Sequence, residues 1–213
     1  MTDGILLIDK PAGLTSFGVV ARIRRVLSQQ AGKKVKVGHT GTLDPFATGL
    51  MILVIGKECK KAGEYTKLDK VYEATITLGK TSTTGDPEGE ITEVDDVQPS
   101  LEAVHAALAK FAGDIQQRPP IFSAIKIDGQ RAYKLARDGK EVELPLRTIT
   151  VHSLELVEYS YPTLKIRTHV SSGTYIRSLA VDIGQALGTG AYCSELRRTQ
   201  IREWNVAEDR KSV

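Results

Sequence analysis

VYEATITLG, residues 71–79, alternates so regularly that one backbone geometry fits it. Tyr72, Ala74, Ile76 and Leu78 fall on one side and Val71, Glu73, Thr75 and Thr77 on the other. A period of two is that of a strand with one covered face. Helical spacing occurs too. LTSFGVVARIRRVL, from Leu14, reads as a helix capped by Thr15 or Ser16, with Val19, Ile23, Val26 and Leu27 sharing a face and Arg22 and Arg25 to its side. PSLEAVHAALAKFAG starts at a Ser100 cap and stops near Gly113, and SSGTYIRSLAVDIGQALG turns Ile176, Leu179, Ile183 and Leu187 inward with Arg177 near its start. GILLIDK reads as a short buried strand, and RTITVHSLELVEY with PTLKIRTHV as a strand pair. The acidic TTGDPEGE is a turn between two strands, with no functional reading demanded of it. The expected class is α+β, with a mixed, largely antiparallel sheet and flanking helices.

At 213 residues and 41% hydrophobic content the chain can bury a sizeable core. No internal repeat or domain boundary is apparent, so residues 1–213 are expected to form a single domain. Cys59 and Cys193, without metal-ligand spacing, read as buried thiols of a reducing compartment. No leader and no run of about 18 apolar residues appears. A cytoplasmic protein with no membrane association is expected.

Charge is segregated along the chain. Residues 1–60 carry a surplus of Lys and Arg, whereas residues 81–105 hold seven acids and no Lys or Arg. This pattern fits two solvated faces, or one face that attracts a polyanion. Residues 117–140 add Arg118, Lys126, Arg131, Lys134, Arg137 and Lys140 against only Asp128 and Asp138, with Phe122 and Tyr133 available to stack. Looped RNA is one partner for such a segment. An ordinary helix with a basic face is the other reading.

GHTGTLDPFATGLM, residues 38–51, places one acid, Asp44, in a glycine-rich loop. Asp-Pro favours a turn whose side chain bonds its own backbone. The glycines also leave room for a large partner to reach the carboxylate. There is no GxxxxGK[ST], no strand-linked GxGxxG and no HExxH, so a reaction without cofactor or metal is favoured. His39, His105, His152 and His169 are scattered. An ionised carboxylate shielded from water is a nucleophile toward an electron-poor carbon, such as ribose C1′ or uracil C6 of a nucleoside taken out of its stack.

Several segments in order, GILLIDKPAGLTS, KVGHTGTLDPFATGLMILVIGK, KVYEATITLGKTSTTGDPEGE, QRPPIFSAIKIDGQRAYKLARDG, SSGTYIRSLAVDIG and LRRTQI, closely resemble the TruB family of tRNA pseudouridine synthases. The resemblance covers nearly the whole chain. It implies the pseudouridine-synthase fold, and isomerisation of uridine 55 in the tRNA T loop without metal or cofactor. By that resemblance Asp44 matches the catalytic nucleophile, Tyr72 the tyrosine stacked on the target base, and Arg177 the arginine that pairs with the aspartate. Tyr175 shares the Arg177 motif, His39 matches the histidine that fills space left by flipped bases, and Lys10 and Leu196 match pocket-lining residues. Residues 117–140, with Arg118, Lys126, Arg131 and Lys134, correspond to the RNA-gripping insertion. The T-arm stem-loop is the implied partner, with a monomer and no obligatory protein partner expected.

Two departures stand out. Many members of the family carry a C-terminal RNA-binding extension of the PUA type that this sequence does not contain, as expected of either a short form or a truncated chain, and Arg202 stands where the family often has glycine. Two rival readings use the same residues: a base-excising hydrolase, and a non-catalytic RNA-binding factor in which Asp44 and Arg177 are structural.

Overall fold

A computed structural model describes residues 3–94, 97–123, 125–127, 130–132 and 144–206. They group into two compact units, Met1–Glu73 with Leu196–Val213, and Ala74–Glu195.

The first unit is built on β3 (Thr48–Ile55), in which every residue from Gly49 to Ile55 is buried. An apolar run without alternation suits a strand covered on both faces. Along one edge β1 (Gly4–Lys10) pairs antiparallel, with Lys10 opposite Gly49. The other edge is shared. β2 (Val37–His39) pairs antiparallel with the far end of β3, and β12 (Ala191–Ile201) pairs parallel with its start, Arg197 opposite Thr48 and Arg198 opposite Gly49. β13 (Trp204–Asn205) folds back on β12. Leu50, Ile52 and Ile201 form a core on which Ile5, Leu7, Tyr65, Leu68, Trp204 and Val206 pack.

Helix α1 (Ser16–Ala31) starts at Thr15, whose hydroxyl accepts the Gly18 amide, and ends at Gly32 in the left-handed region. Its buried side is Ser16, Val19 and Val20. Val26 departs from the expected stripe and is 44% exposed. At 100° per residue it lies about 60° from Ile23 on the outer flank, while Val20 takes the inner position. A short helix α2 (Ala62–Thr66) completes the unit. Cys59 is only half-buried, because it sits in a short 3-10 helix (Gly56–Lys61) with no buried residue, whereas Cys193 is buried on β12.

β4 (Lys70–Leu78) begins in the first unit and ends in the second. Lys70, Tyr72, Ala74, Ile76 and Leu78 are buried and the residues between them are not. The expected inward face is the observed one. In the second unit the strand order is β12, β4, β11 (Thr163–Val170), β10 (Arg147–Ser160) and β7 (Gly113–Gln117). β10 pairs antiparallel with both neighbours and forms the expected hairpin with β11. β5 (Lys80–Ser82) and β6 (Ile91–Glu93) flank the TTGDPEGE turn, and β8 (Lys126–Ile127) pairs with β9 (Gln130–Arg131). Helix α3 (Leu101–Ala109) starts at Ser100, whose hydroxyl accepts the Ala103 amide. It packs on β10 and on α4 (Ile176–Leu187), which buries Ile176, Leu179, Ala180 and Ile183. Gly113 opens β7 with φ +85° rather than closing α3, which already ends at Lys110.

The fold is therefore of mixed α/β type with mostly antiparallel strand pairing and flanking helices, as expected. Among the described residues no helix is long and apolar enough to cross a membrane.

Candidate active site

The loop that carries Asp44 is tied down on both sides of it. Before Asp44, the Ser16 hydroxyl accepts the Leu43 amide at 2.8 Å and donates to the Leu43 carbonyl at 2.9 Å. After it, the Lys10 ammonium donates to the carbonyls of Pro45 (3.2 Å), Leu14 (2.8 Å) and Pro11 (2.9 Å), and the Gly13 amide donates to Pro45 at 2.8 Å. Lys10 is fully buried. A buried ammonium surrounded by carbonyl oxygens recovers much of the hydration it gave up, so it acts here as a knot between β1, the turn before α1 and the loop.

Arg198, also buried, holds the stem of the same loop. Its Nε donates to Leu50 at 2.7 Å, Nη2 to Gly41 at 3.2 Å and Nη1 to Thr42 at 3.5 Å. The planar guanidinium can reach three carbonyls that a lysine could not span with fixed geometry. Its neighbour Arg197 points to the opposite side of β12 and forms a bidentate pair with Asp9 at 2.7 and 3.1 Å. Of the loop glycines, Gly49 needs its special conformation, with φ +106°, while a Cβ on Gly38 or Gly41 would make only ordinary contacts at 3.5 Å or more. Asp44 itself is half-buried. These ties fix where the Asp44 backbone stands, so the carboxylate is carried at a set place in the loop for a carbon presented to it.

In the same unit Tyr72 is 7% exposed on the inward face of β4, Leu196 is 7% exposed on β12, and His39 is half-buried at the end of β2 that leads into the loop. Beside the loop stem, burial and then the charge of Arg198 pull the Lys70 ammonium from 10.5 down to about 8.

Arg177 belongs to the second unit and is buried at 3% exposure rather than lying on a solvated helix face. Its Nη1 donates to Asp86 Oδ2 and to the Thr84 carbonyl, both at 2.9 Å, and Nη2 donates to the Phe122 carbonyl at 2.9 Å. Asp86 is equally buried, and its other oxygen accepts the Thr84 hydroxyl at 2.6 Å and the Glu88 amide at 3.0 Å. The TTGDPEGE turn thus gives Arg177 a buried carboxylate partner that the sequence does not single out. Asp86-Pro87 shows the turn chemistry that Asp-Pro suggests, with a side chain on its own backbone two residues later. Its link to Arg177, 91 residues away, leaves no local signal.

Tyr175 is half-buried and caps the start of α4. Its backbone is clamped by Gln117, whose side-chain amide donates to the Tyr175 carbonyl at 3.0 Å and accepts its amide at 2.8 Å. Arg118 next door is exposed and reaches the Leu144 carbonyl at 3.2 Å. Lys126 and Arg131 lie on β8 and β9. Lys134 lies outside the described residues, as do Tyr133, Arg137 and Lys140.

Residues 24–176 match the model for TruB family pseudouridylate synthase (N terminal domain), and residues 177–211 that for tRNA pseudouridylate synthase B C-terminal domain. The tRNA pseudouridine synthase B of Opitutus terrae (strain DSM 11246 / JCM 15787 / PB90-1) is 48% identical over 207 residues, 97% of this chain and 84% of that protein. Its counterpart in Azoarcus sp. (strain BH72) is 45% identical, again over 97% of this chain but 67% of its own length. Among solved structures, an H/ACA RNP bound to a substrate RNA containing 2′-deoxyuridine includes a chain that superposes with TM-score 0.69 at 30% identity. That match covers 95% of this chain and 48% of the other, so this chain spans about half of that one. Matching family models over most of its length and nearly half-identical relatives, the chain belongs to the TruB family of pseudouridylate synthases.

Proposed function

We propose that this chain isomerises uridine to pseudouridine at position 55 in the T loop of tRNA, with Asp44 as the nucleophile on a flipped-out uridine. The observation that carries the reading is the pinned loop: in a chain of this family, Lys10, Ser16 and Arg198 fix the backbone around the residue that matches the catalytic aspartate. The two bacterial relatives are named as acting on tRNA, and a solved relative holds a substrate RNA.

The chemistry asks little beyond a carboxylate, a flat partner and a dry pocket. The N1–C1′ bond of uridine breaks, uracil turns, a C5–C1′ bond forms, the C5 proton leaves and N1 takes up a proton, so that the product is an isomer of the substrate. Asp44 assists by adding to C6 or by attacking C1′; both routes need the base out of its stack. Tyr72 offers the ring face for that base, and Leu196 and His39 line its surroundings. Lys10 serves the site through the loop it ties. Tyr175 is set by Gln117, and Arg177 is the buried cation oriented by Asp86. Arg118, Lys126, Arg131 and Lys134 belong to the segment assigned to gripping the T-arm. No step calls for a metal or a cofactor, and the enzyme works as a monomer in the cytoplasm.

The test is tritium release from tRNA labelled at uracil C5, with the product nucleoside identified. Native protein should release tritium and form pseudouridine, and Asp44→Asn should bind the RNA but release none. Free uracil as product would replace the isomerase with a hydrolase; unchanged uridine would leave a binding factor.

A further inference from the structure

From Lys10 through Leu43 the sequence contains seven Lys or Arg and no acid. Lys10 is spent inside the Asp44 loop. The other six are placed by α1 and the turn after it. Helix α1 turns Ser16, Val19 and Val20 inward, so the side opposite, at 100° per residue, carries Gly18, Arg22, Arg25 and Gln29. That stripe runs about 16 Å along the helix at ~1.5 Å per residue. Arg22, Arg25 and Gln29 are exposed. Beyond Gly32 the chain continues with exposed Lys33, Lys34 and Lys36, while Val35 between them is buried and bonded through its amide to the Ser28 hydroxyl. None of these six cations takes part in an ion pair among the described residues. On the flank, Phe17 is 66% exposed with the Arg24 guanidinium 5.9 Å from its ring centre.

We propose that this face of α1, with Arg22 and Arg25 at its centre and Lys33, Lys34 and Lys36 at its end, is a docking surface for the phosphate backbone of RNA. The proposal rests on the substrate class given above, and adds a binding surface apart from the Asp44 loop. Two arginines one turn apart, with no acid anywhere in the segment, make a local positive potential that attracts a polyanion. The exposed ring of Phe17 adds a flat partner for a base. A membrane surface fits less well. A helix lying in a lipid headgroup layer needs a broad apolar face turned outward, and the apolar face of α1 is turned into the protein.

The experiment measures tRNA affinity of the full chain as a function of salt for native protein, Arg22→Ala/Arg25→Ala, and a control, Lys57→Ala/Lys60→Ala, which removes two exposed cations elsewhere in the same unit. Exposed arginine to alanine on a helix keeps helix propensity, so the fold is preserved. Arg22→Ala/Arg25→Ala should bind about tenfold more weakly near 0.1 M salt, with a salt slope shallower by about 1.5, since each phosphate contact contributes ~0.7–0.9. The control should change both much less. Equal losses in the two variants would reduce the effect to diffuse charge and overturn the proposal. Unchanged affinity and slope in Arg22→Ala/Arg25→Ala, in a protein that still forms pseudouridine, would overturn it while sparing the functional reading. Failure of the native protein to bind tRNA at all would remove both. Native protein is also mixed with phosphatidylserine vesicles; binding there that Arg22→Ala/Arg25→Ala abolishes, with tRNA binding unchanged, would assign the surface to lipid instead.

Discussion

A Cβ on Gly49 would stand 2.2 Å from the carbonyl oxygen of Arg198 and 2.7 Å from its amide nitrogen, because the two residues face each other where β3 and β12 run parallel. Both neighbours are backbone, so neither can swing aside. Gly49 also has φ +106°, a conformation that side chains rarely adopt. Gly49→Ala should therefore cost about 3 kcal/mol or more, seen as a fall in Tm of roughly 6–12 °C for a chain of this size. Gly41→Ala is the contrast. Its Cβ would meet the Arg198 Nη1 at 3.5 Å, the Lys70 Cε at 3.6 Å and the Arg198 Nη2 at 3.9 Å, all ordinary contacts with side-chain ends, and the loss should stay below about 1 kcal/mol. Thermal melts of the two variants side by side check this, and equal shifts would contradict the reading of the β3–β12 contact.

The Arg177–Asp86 pair makes a second prediction. Both side chains are nearly inaccessible, at 4% and 3% exposure, and sit 2.9 Å apart. Removing one charge from such a pair takes a buried partner from the other, a loss of about 3–5 kcal/mol. Asp86→Ala should destabilise by that amount, since it also strips a partner from the Thr84 hydroxyl and the Glu88 amide. Asp86→Ala/Arg177→Met should lose less than the sum of the two single changes. Denaturant titration of all four proteins gives the coupling directly, and additivity within about 0.5 kcal/mol would mean that the pair contributes nothing as a pair.

Lys70 makes stability depend on pH. Burial and the nearby Arg198 charge lower its ammonium from 10.5 to about 8, although its Nζ donates to the carbonyls of Thr66 and Leu68. Between those values the unfolded chain holds a proton that the folded chain has released. Stability from this group therefore rises with pH across that window, and below pH 8 the buried charge is a full cost. Relative to Lys70→Met, native protein should gain on the order of 1–2 kcal/mol between pH 7.5 and 10. Urea unfolding at a series of pH values measures the difference, and parallel curves for the two proteins would rule the effect out.

Local patterns in the sequence account for much of the fold and less of the site. The alternation of β4 names its buried face because strand geometry depends only on neighbouring residues. Thr15 and Ser100 cap their helices for the same local reason. Charges that turn inward are different. By residue type alone Lys10, Arg198 and Asp86 belong at a surface, since charged side chains are seldom fully buried; only the family resemblance singles out Lys10, and each is held by a partner far along the chain. In LRRT, the strand period sends Arg197 and Arg198 to opposite sides, but only the pairing with Gly49 and Leu50 decides which one goes in. Ser16 beside Thr15 carries a faint signal, because one of two adjacent hydroxyls suffices for the cap and the other is available for Leu43.

Arg202 shows a local misfit whose repair is predictable. It has φ +47°, in the turn that pairs Ile201 with Trp204, and its amide donates to the Asp69 carbonyl at 3.1 Å. The left-handed conformation costs a residue with a Cβ about 1–2 kcal/mol, and glycine nothing. Glycine also gains freedom in the unfolded chain, which offsets about 0.5–1 kcal/mol of that relief. Arg202→Gly should therefore stabilise the protein by roughly 0.5–1 kcal/mol, or about 1–4 °C in Tm. Arg202→Ala, which keeps the Cβ and removes only the contact with Glu203 at 3.7 Å, a pair too exposed to contribute much, should leave Tm nearly unchanged. A gain from both variants would point to the loss of the arginine charge, and a gain from glycine alone to the backbone.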